Sequence, residues 1–155
     1  MTRQIGKYPD FALDTHGYQC LNTMFMVNPK GDDYSIPFLL GVLNSSLIRA
    51  YWIDRFYDQR STFPKIKGTY LERLPICNVD LDDPAEKRRH DLVVGMVEGM
   101  LRLHKELAGA KTPNEKETIQ RQIAATDAQT DQLVYELYGL TNEEIRIVEE
   151  ATRVS

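Results

Sequence analysis

The 155-residue sequence has few of the residue patterns that carry local chemistry. Its 2 cysteines, Cys20 and Cys77, do not have the CxxC spacing that zinc and redox sites need, so we expect two free buried thiols in a reducing compartment, with a disulfide as the alternative. No apolar run approaches the ~18–20 residues of a membrane span, and residues 1–7 lack the apolar centre of a signal peptide. The default prediction is a cytoplasmic protein with no membrane partner.

Several catalytic motifs are also missing. There is no GxGxxG and no GxxxxGK(S/T), the loops that hold dinucleotides and nucleoside triphosphates. No lysine has Asp or Glu two residues before it, which excludes the (D/E)xK half of a common metal-dependent nuclease motif. No two prolines are adjacent, so the Asn/Asp-Pro-Pro-Tyr/Phe box that holds the exocyclic amine in amino-methylating enzymes is absent. The sequence therefore predicts no catalytic residues.

The histidines do not suggest a metal site either. His16, His90 and His104 have neither HxxxH nor HExxH spacing, and neither cysteine has a neighbouring histidine. We expect them to be surface or helix-flank residues. The sequence predicts no bound metal and no cofactor within this chain.

Charge is distributed unevenly along the chain. The formal net charge of -4 excludes a uniformly basic nucleic-acid-binding coat. Residues 1–75 carry 9 Lys+Arg against 7 Asp+Glu, a net +2, whereas residues 76–155 carry 10 against 16, a net -6. Any phosphate-binding surface is therefore expected in the first half.

The first half has a mixed pattern. Residues 18–27 are rich in aromatic and β-compatible residues and end in a turn cluster at residues 28–33, which predicts a strand. Residues 35–57 carry a helical apolar stripe interrupted at residues 44–46, where a serine can cap a second helix, so we predict two short helices. Residues 58–74 have no regular period, which predicts an extended loop. Residues 70–76 predict only a short and irregular segment, because Pro75 biases the residue before it away from the helical conformation.

The second half is strongly helical. Asp83 and Pro84 predict the start of a helix that runs to about Ala108, and residues 112–115 form a capping box for a second helix that ends at Gly139. A second capping box at residues 141–144 starts a short terminal helix. The apolar stripes that should be buried are Leu92, Met96, Met100, Leu103 and Leu107 on the first helix and Ile119, Ile123, Thr126, Thr130, Leu133 and Leu137 on the second. The fold class predicted is α+β, mainly helical: a small mixed module at residues 1–76, then a long antiparallel helix pair and a short terminal helix at residues 77–155.

One segment has the composition of a binding loop. Residues 51–73 hold 5 Lys+Arg and 3 Asp+Glu interleaved with aromatic residues. Cationic groups can neutralise phosphates, while side chains on a loop can reach base edges in a groove. Tyr51, Trp52 and Phe56 are expected in the core, and a purely structural loop is the alternative. The candidate binding residues are Arg55, Tyr57, Arg60, Ser61, Thr62, Lys65 and Lys67.

Four segments together resemble a known family. They read Leu43-Asn44-Ser45-Ser46-Leu47, then the Lys67-Gly68-Thr69-Tyr70-Leu71-Glu72-Arg73-Leu74-Pro75-Ile76 stretch, then residues 101–111 (LRLHKELAGAK) and residues 131–149 (DQLVYELYGLTNEEIRIVE). They are similar to the TaqI-like C-terminal specificity domains of adenine-N6 DNA methyltransferases and single-chain type IIG restriction–modification enzymes. The resemblance covers most of residues 41–150.

The resemblance implies sequence-specific recognition of double-stranded DNA. Residues 1–76 would be the C-terminal part of a target-recognition module, and residues 77–155 a helical spacer. In such enzymes an upstream domain of the same chain binds S-adenosylmethionine and the flipped adenine, often with a nuclease domain before it. Because this chain lacks every catalytic box, only the recognition role carries over, and we expect a non-catalytic fragment.

Two other functions stay open at this point. The helices could form a protein-interaction or subunit-assembly module, with self-association and incidental DNA contact. A free-standing hydrolytic enzyme is a third hypothesis, but no motif supports it. The basic loop favours DNA recognition over the interaction module.

Overall fold

The computed structural model describes residues 1–17, 22–29, 35–57 and 64–153. Within them, β1 (Thr2–Arg3) and β2 (Met24–Phe25) pair antiparallel, with Thr2 opposite Phe25 and Arg3 opposite Met24. The strand predicted at residues 18–27 is therefore limited to Met24–Phe25 in this part of the chain, and residues 18–21 lie outside it. The mainly helical α+β fold is confirmed.

The two short helices predicted for residues 35–57 are α1 (Ile36–Asn44) and α2 (Ser46–Arg55). Ser45 separates them, as expected of an N-cap residue: its hydroxyl donates to the carbonyl of Val42 at 2.7 Å and accepts from the Ile48 N–H at 3.3 Å. Among the described helices no single one is long and apolar enough to cross a membrane, although α1 and α2 taken together, bent by 56°, have that length and composition.

A one-turn helix, α3 (Gly68–Leu71), lies where the sequence predicts an irregular stretch. That prediction is wrong for these four residues. Pro75 restricts the conformation of Leu74 only, so the residues before it are free to form a turn. Backbone bonds from the Tyr70 and Leu71 N–H groups to the Lys67 carbonyl, at 3.0 and 3.2 Å, close that turn.

The predicted helix pair and terminal helix are confirmed as α4 (Pro84–Gly109), α5 (Pro113–Leu137) and α6 (Asn142–Arg153). Asp83 caps α4 by accepting from two backbone N–H groups, and Thr112 with Glu115 forms the capping box of α5. Gly139 has φ +63°, the left-handed conformation that ends α5. At the start of α6 the Thr141 hydroxyl donates to the Glu144 carboxylate at 2.8 Å.

The hydrophobic core lies where α1 packs on α4 and α5. Its innermost side chains include Phe38 and Val42 from α1, Val93 from α4 and Val134 from α5. Gly41 faces α4 so closely that a Cβ atom would lie 2.9 Å from Val93 and 2.8 Å from Val97. This core continues across residue 76, and the functional division at that residue stays a prediction.

The buried face of α4 differs from the predicted stripe. Leu92 is 42% exposed, and the buried positions are His90, Val93 and Val97. The buried face of α4 is the one that contacts α1, where Val93 and Val97 lie against Gly41. Leu92 is turned away from α1. The other predicted α4 positions, Met96, Met100, Leu103 and Leu107, are half-buried; on α5, Thr130 is buried and Ile119, Ile123, Thr126, Leu133 and Leu137 are half-buried.

The Asn44-Ser45-Ser46 corner connects three parts of the chain. The Asn44 amide accepts from the Phe11 N–H and donates to the Phe11 carbonyl, both at 2.9 Å. The Ser46 N–H donates to the Asp131 carboxylate on α5 at 2.8 Å. Burial raises the pKa of Asp131, and the bonds from Ser46 oppose that shift. The corner is thus a structural junction in which each polar group has a partner.

A second junction holds residues 74–77 against the end of α5. The Tyr138 hydroxyl donates to the Pro75 carbonyl at 2.6 Å and accepts from the Cys77 N–H at 3.1 Å. Leu74 is buried beside it. Cys77 is a free, half-buried thiol whose pKa is raised by burial, and Cys20 lies outside the described residues.

The close approach at Gly41 generates the first testable prediction. Gly41→Ala is expected to lower the free energy of unfolding by about 1–3 kcal/mol, because the added methyl overlaps Val93 and Val97. Gly95→Ala is the matched control, since its Cβ meets nothing within 4 Å and alanine should stabilise α4 by about 0.5–1 kcal/mol. Urea unfolding measures both, and equal midpoints for the two variants would contradict the packing described here.

The hydrogen bond between Ser46 and Asp131 generates the second testable prediction. Asp131→Ala is expected to cost about 1–3 kcal/mol because it leaves the Ser46 N–H without its acceptor, whereas Asp131→Asn keeps an acceptor oxygen. The pKa of Asp131 is raised on folding, so the folded state binds this proton more tightly than the unfolded state does. Its contribution to stability therefore falls as pH rises through the raised pKa.

The difference between wild type and Asp131→Asn isolates that effect, because carboxyl groups elsewhere titrate alike in both proteins. Urea unfolding over a pH series starting near the ordinary Asp pKa of about 3.9 should show wild type losing stability relative to Asp131→Asn as pH increases. A pH-independent difference between the two would show that this carboxyl is not perturbed.

Candidate functional site

The structure describes four of the seven candidate binding residues: Arg55, Tyr57, Lys65 and Lys67. The other three, Arg60, Ser61 and Thr62, lie outside the described residues. Arg55 is at the end of α2, and Tyr57 follows it just before the segment 58–63. Lys65 and Lys67 follow that segment, so the four described candidates flank it on both sides.

The N-terminal segment joins the two sides of segment 58–63. The Gly6 N–H donates to the Pro64 carbonyl at 3.0 Å, and the Lys7 ammonium lies 5.7 Å from the centre of the Tyr57 ring. The buried Trp52 holds this segment in place, because its indole N–H donates to the Lys7 carbonyl at 3.1 Å. The fold therefore brings Tyr57 and Pro64 to one place through residues 6 and 7.

Residues 65–67 alternate between the surface and the core. Ile66 is 3% exposed, and its N–H donates to the Gln4 carbonyl at 2.9 Å. Because side chains alternate along an extended chain, Lys65 and Lys67 both point to the opposite side, and both are exposed. The structure thus presents two cationic side chains next to each other.

A stack of aromatic rings supports this surface. Phe56 and Tyr70 stack with ring centres 4.8 Å apart and an interplanar angle of 9°. The Lys67 ammonium lies 5.0 Å from the Tyr70 ring centre and donates to its hydroxyl at 3.3 Å, and the Arg73 guanidinium lies 5.4 Å from the Phe56 ring centre. Cation–π contacts of this kind orient a cationic side chain without neutralising it.

The core positions predicted for Trp52 and Phe56 are confirmed, and Tyr51 is half-buried.

The cationic side chains on and near this surface differ in whether they have a carboxylate partner. Arg55 pairs with Asp54 at 3.0 Å, and Arg3 pairs with Asp10 at 2.5 Å. By contrast, within the described ranges no carboxylate forms an ion pair with Lys7, Lys65, Lys67 or Arg73. These four side chains therefore have the capacity to bind an anionic ligand.

Two of those side chains, Lys7 and Arg73, are not among the candidates from the sequence. Lys7 is fifty residues away from Tyr57 along the chain, and no local pattern connects them. Arg73 has a usable signal, because it lies in the same basic and aromatic segment as the chosen residues. Its contact with Phe56 depends on the turn at α3, which the sequence analysis did not predict.

One histidine is an exception to the expected surface or helix-flank positions. His90 is buried: its Nε2 lies 3.1 Å from the Ser35 hydroxyl, its Nδ1 lies 2.9 Å from the Asp91 carboxylate, and its ring packs on Phe38. The cause is α1, whose first turn covers this face of α4. His16 and His104 are exposed as expected, and the described residues contain no group of three or more His, Cys, Asp or Glu side chains arranged to hold a metal.

Comparisons with known proteins locate relatives of this chain. Residues 1–76 match the family model of the TaqI-like C-terminal specificity domain. Over 129 residues the chain is 28% identical to the type II restriction enzyme and methyltransferase RM.Eco57I of Escherichia coli. That alignment covers 81% of this chain and 12% of the relative, so the chain corresponds to a small part of a much longer protein. No solved structure matches the chain.

Proposed function

Since residues 1–76 form a TaqI-like C-terminal specificity domain, we propose that this chain recognises double-stranded DNA in a sequence-specific manner. It does so as the specificity part of an adenine-N6 DNA methyltransferase or type IIG restriction enzyme. The catalytic steps belong to an upstream methyltransferase domain, which binds S-adenosylmethionine, and this chain contributes no catalytic residue. The relative whose name joins restriction and methyltransferase activities supports such an arrangement.

The observation that carries the proposal is the cationic surface beside segment 58–63. Lys65 and Lys67 are exposed, have no carboxylate partner among the described residues, and project from a backbone tied to Gln4 and Gly6. A rigid backbone with uncompensated ammonium groups suits phosphate binding, which fixes a protein on the duplex. Residues of segment 58–63, including Arg60, would then read base edges.

A protein-interaction module is the second candidate function. The observation that favours it is Leu92, a large apolar side chain 42% exposed on α4. A helix pair with such a residue on its surface could bind a partner subunit or a second copy of the chain. The two functions predict different effects of substitution. Replacing Lys65 or Lys67 should weaken DNA binding, but it should not affect an interaction module.

The phosphate role of the lysines is tested by salt-dependent binding. Lys65→Ala and Lys67→Ala should each weaken binding to mixed-sequence duplex DNA and reduce the slope of log K against log salt by about 0.9, the contribution of one phosphate contact. Fluorescence anisotropy at several salt concentrations measures this. Lys116→Ala is the matched control, since Lys116 is an exposed lysine near the start of α5.

Arg60→Ala should act differently from the lysine variants. On the preferred site of the enzyme it is expected to cost about 1–3 kcal/mol and to relax the choice at one base pair. The Lys65 and Lys67 variants should keep their folding stability within about 0.5 kcal/mol because their charges are exposed. If these three variants bind and discriminate like wild type, the loop is structural and the interaction module becomes the better hypothesis.

The absence of catalysis is tested directly. Incubation of the chain with tritiated S-adenosylmethionine and mixed-sequence duplex should leave the DNA unlabelled and uncut, because the sequence lacks the motifs that hold the target amine or a nuclease metal. Filter-bound radioactivity and gel electrophoresis provide the readouts. Label above a protein-free blank would show that a catalytic site is present here after all.

A further inference from the structure

The N-terminal segment pairs with other segments of the chain through the two-stranded sheet and through isolated bridges. On one side β1 pairs with β2, and on the other side Ile5 pairs antiparallel with Lys65. Two backbone hydrogen bonds flank this pair: the Ile66 N–H donates to the Gln4 carbonyl, and the Gly6 N–H donates to the Pro64 carbonyl. Ile5 and Lys65 are therefore a non-hydrogen-bonded pair, in which the two side chains lie close together on the same face of the sheet.

The face that carries Ile5 and Lys65 is exposed. Ile5 is 51% exposed, whereas Thr2 and Ile66 are buried on the opposite face. By the two-residue alternation of an extended chain, Lys67 shares the face of Lys65. Lys7 follows Ile5 two residues along the N-terminal segment, and its ammonium group lies 5.7 Å from the centre of the Tyr57 ring. Ile5 is thus paired with Lys65, and two further lysines lie near this pair along the two segments.

This arrangement suits the major groove of DNA. The groove admits a two-stranded β-ribbon, and the C5-methyl group of thymine is the apolar feature that it presents. The ammonium groups of these lysines can hold phosphates while the Ile5 side chain enters the groove. A protein or membrane partner would leave these lysines without anionic partners unless it also carried negative charge.

We propose that Ile5 is a specificity-determining residue that contacts a thymine methyl group in the major groove, with Lys7, Lys65 and Lys67 positioning it through phosphate contacts. The proposal rests on the proposed function, because it names one of the base contacts of the same DNA-binding surface. It extends the binding surface to the N-terminal segment, in which the sequence shows no binding motif.

The test begins with selection from a random-sequence duplex pool by the chain, followed by sequencing of the bound fraction. Wild type should enrich a sequence with a thymine preference that Ile5→Ala relaxes. On the selected duplex, replacing that thymine by deoxyuridine removes only the methyl group. Wild type should then bind about fourfold more weakly, the effect of one buried methyl-sized group, while Ile5→Ala should be insensitive to the replacement.

Ile147→Ala provides the matched control, because Ile147 is an isoleucine of similar exposure, 55%, on α6. It should respond to deoxyuridine as wild type does. If wild type enriches no sequence, both this proposal and the proposed function are overturned. If wild type enriches a sequence but deoxyuridine affects wild type and Ile5→Ala equally, only the role of Ile5 is overturned. A lower urea midpoint for Ile5→Ala without that difference would assign Ile5 to the sheet alone.

Discussion

The anchoring of the N-terminal segment by two side chains is the constraint on which the candidate site depends. Asn44 holds the backbone of Phe11 through two hydrogen bonds, and the indole of Trp52 holds the carbonyl of Lys7. With these points fixed, residues 4 and 6 are in place to bond residues 66 and 64. The two sides of segment 58–63 are thereby set by residues that come from the beginning of the chain and from α1 and α2.

The motifs that carry the family resemblance have structural roles in this fold. Asn44, Ser45 and Ser46 each satisfy a different backbone or side-chain partner at the junction of α1, α2 and α5. Tyr138 fixes Pro75 and Cys77 to the end of α5. Burial and the neighbouring carboxylates of Asp131 and Glu149 also raise the pKa of Tyr135 to about 12. The segments that resemble the family hold the helices of this fold together. Most residues of the candidate site lie outside those segments.

The charge pattern of the surface depends on which cations have carboxylate partners. Asp10 pairs with Arg3 and lies 3.9 Å from Arg49, so an acidic residue with no motif of its own has a clear structural role. Lys7, Lys65 and Lys67 have no such partner among the residues described. A net charge of -4 is therefore compatible with a local cationic surface, because most of the excess acid lies on the second half. This separation supports the DNA-binding proposal better than overall composition does.

Elements controlled by neighbours along the chain could be predicted from the amino-acid sequence. Caps at Asp83 and Thr112 and the stop at Gly139 placed α4 and α5 to within a few residues, because each depends on neighbours along the chain. The composition of residues 51–73 also indicated that Lys65 and Lys67 are candidate binding residues. The buried face of α4 could not be predicted in this way, because it depends on the close approach of Gly41 in α1, which lies against Val93 and Val97 and not against Leu92. Only the tertiary structure placed Ile5 and Lys7 beside Lys65 and Tyr57, because contacts between residues fifty or more positions apart have no local sequence pattern.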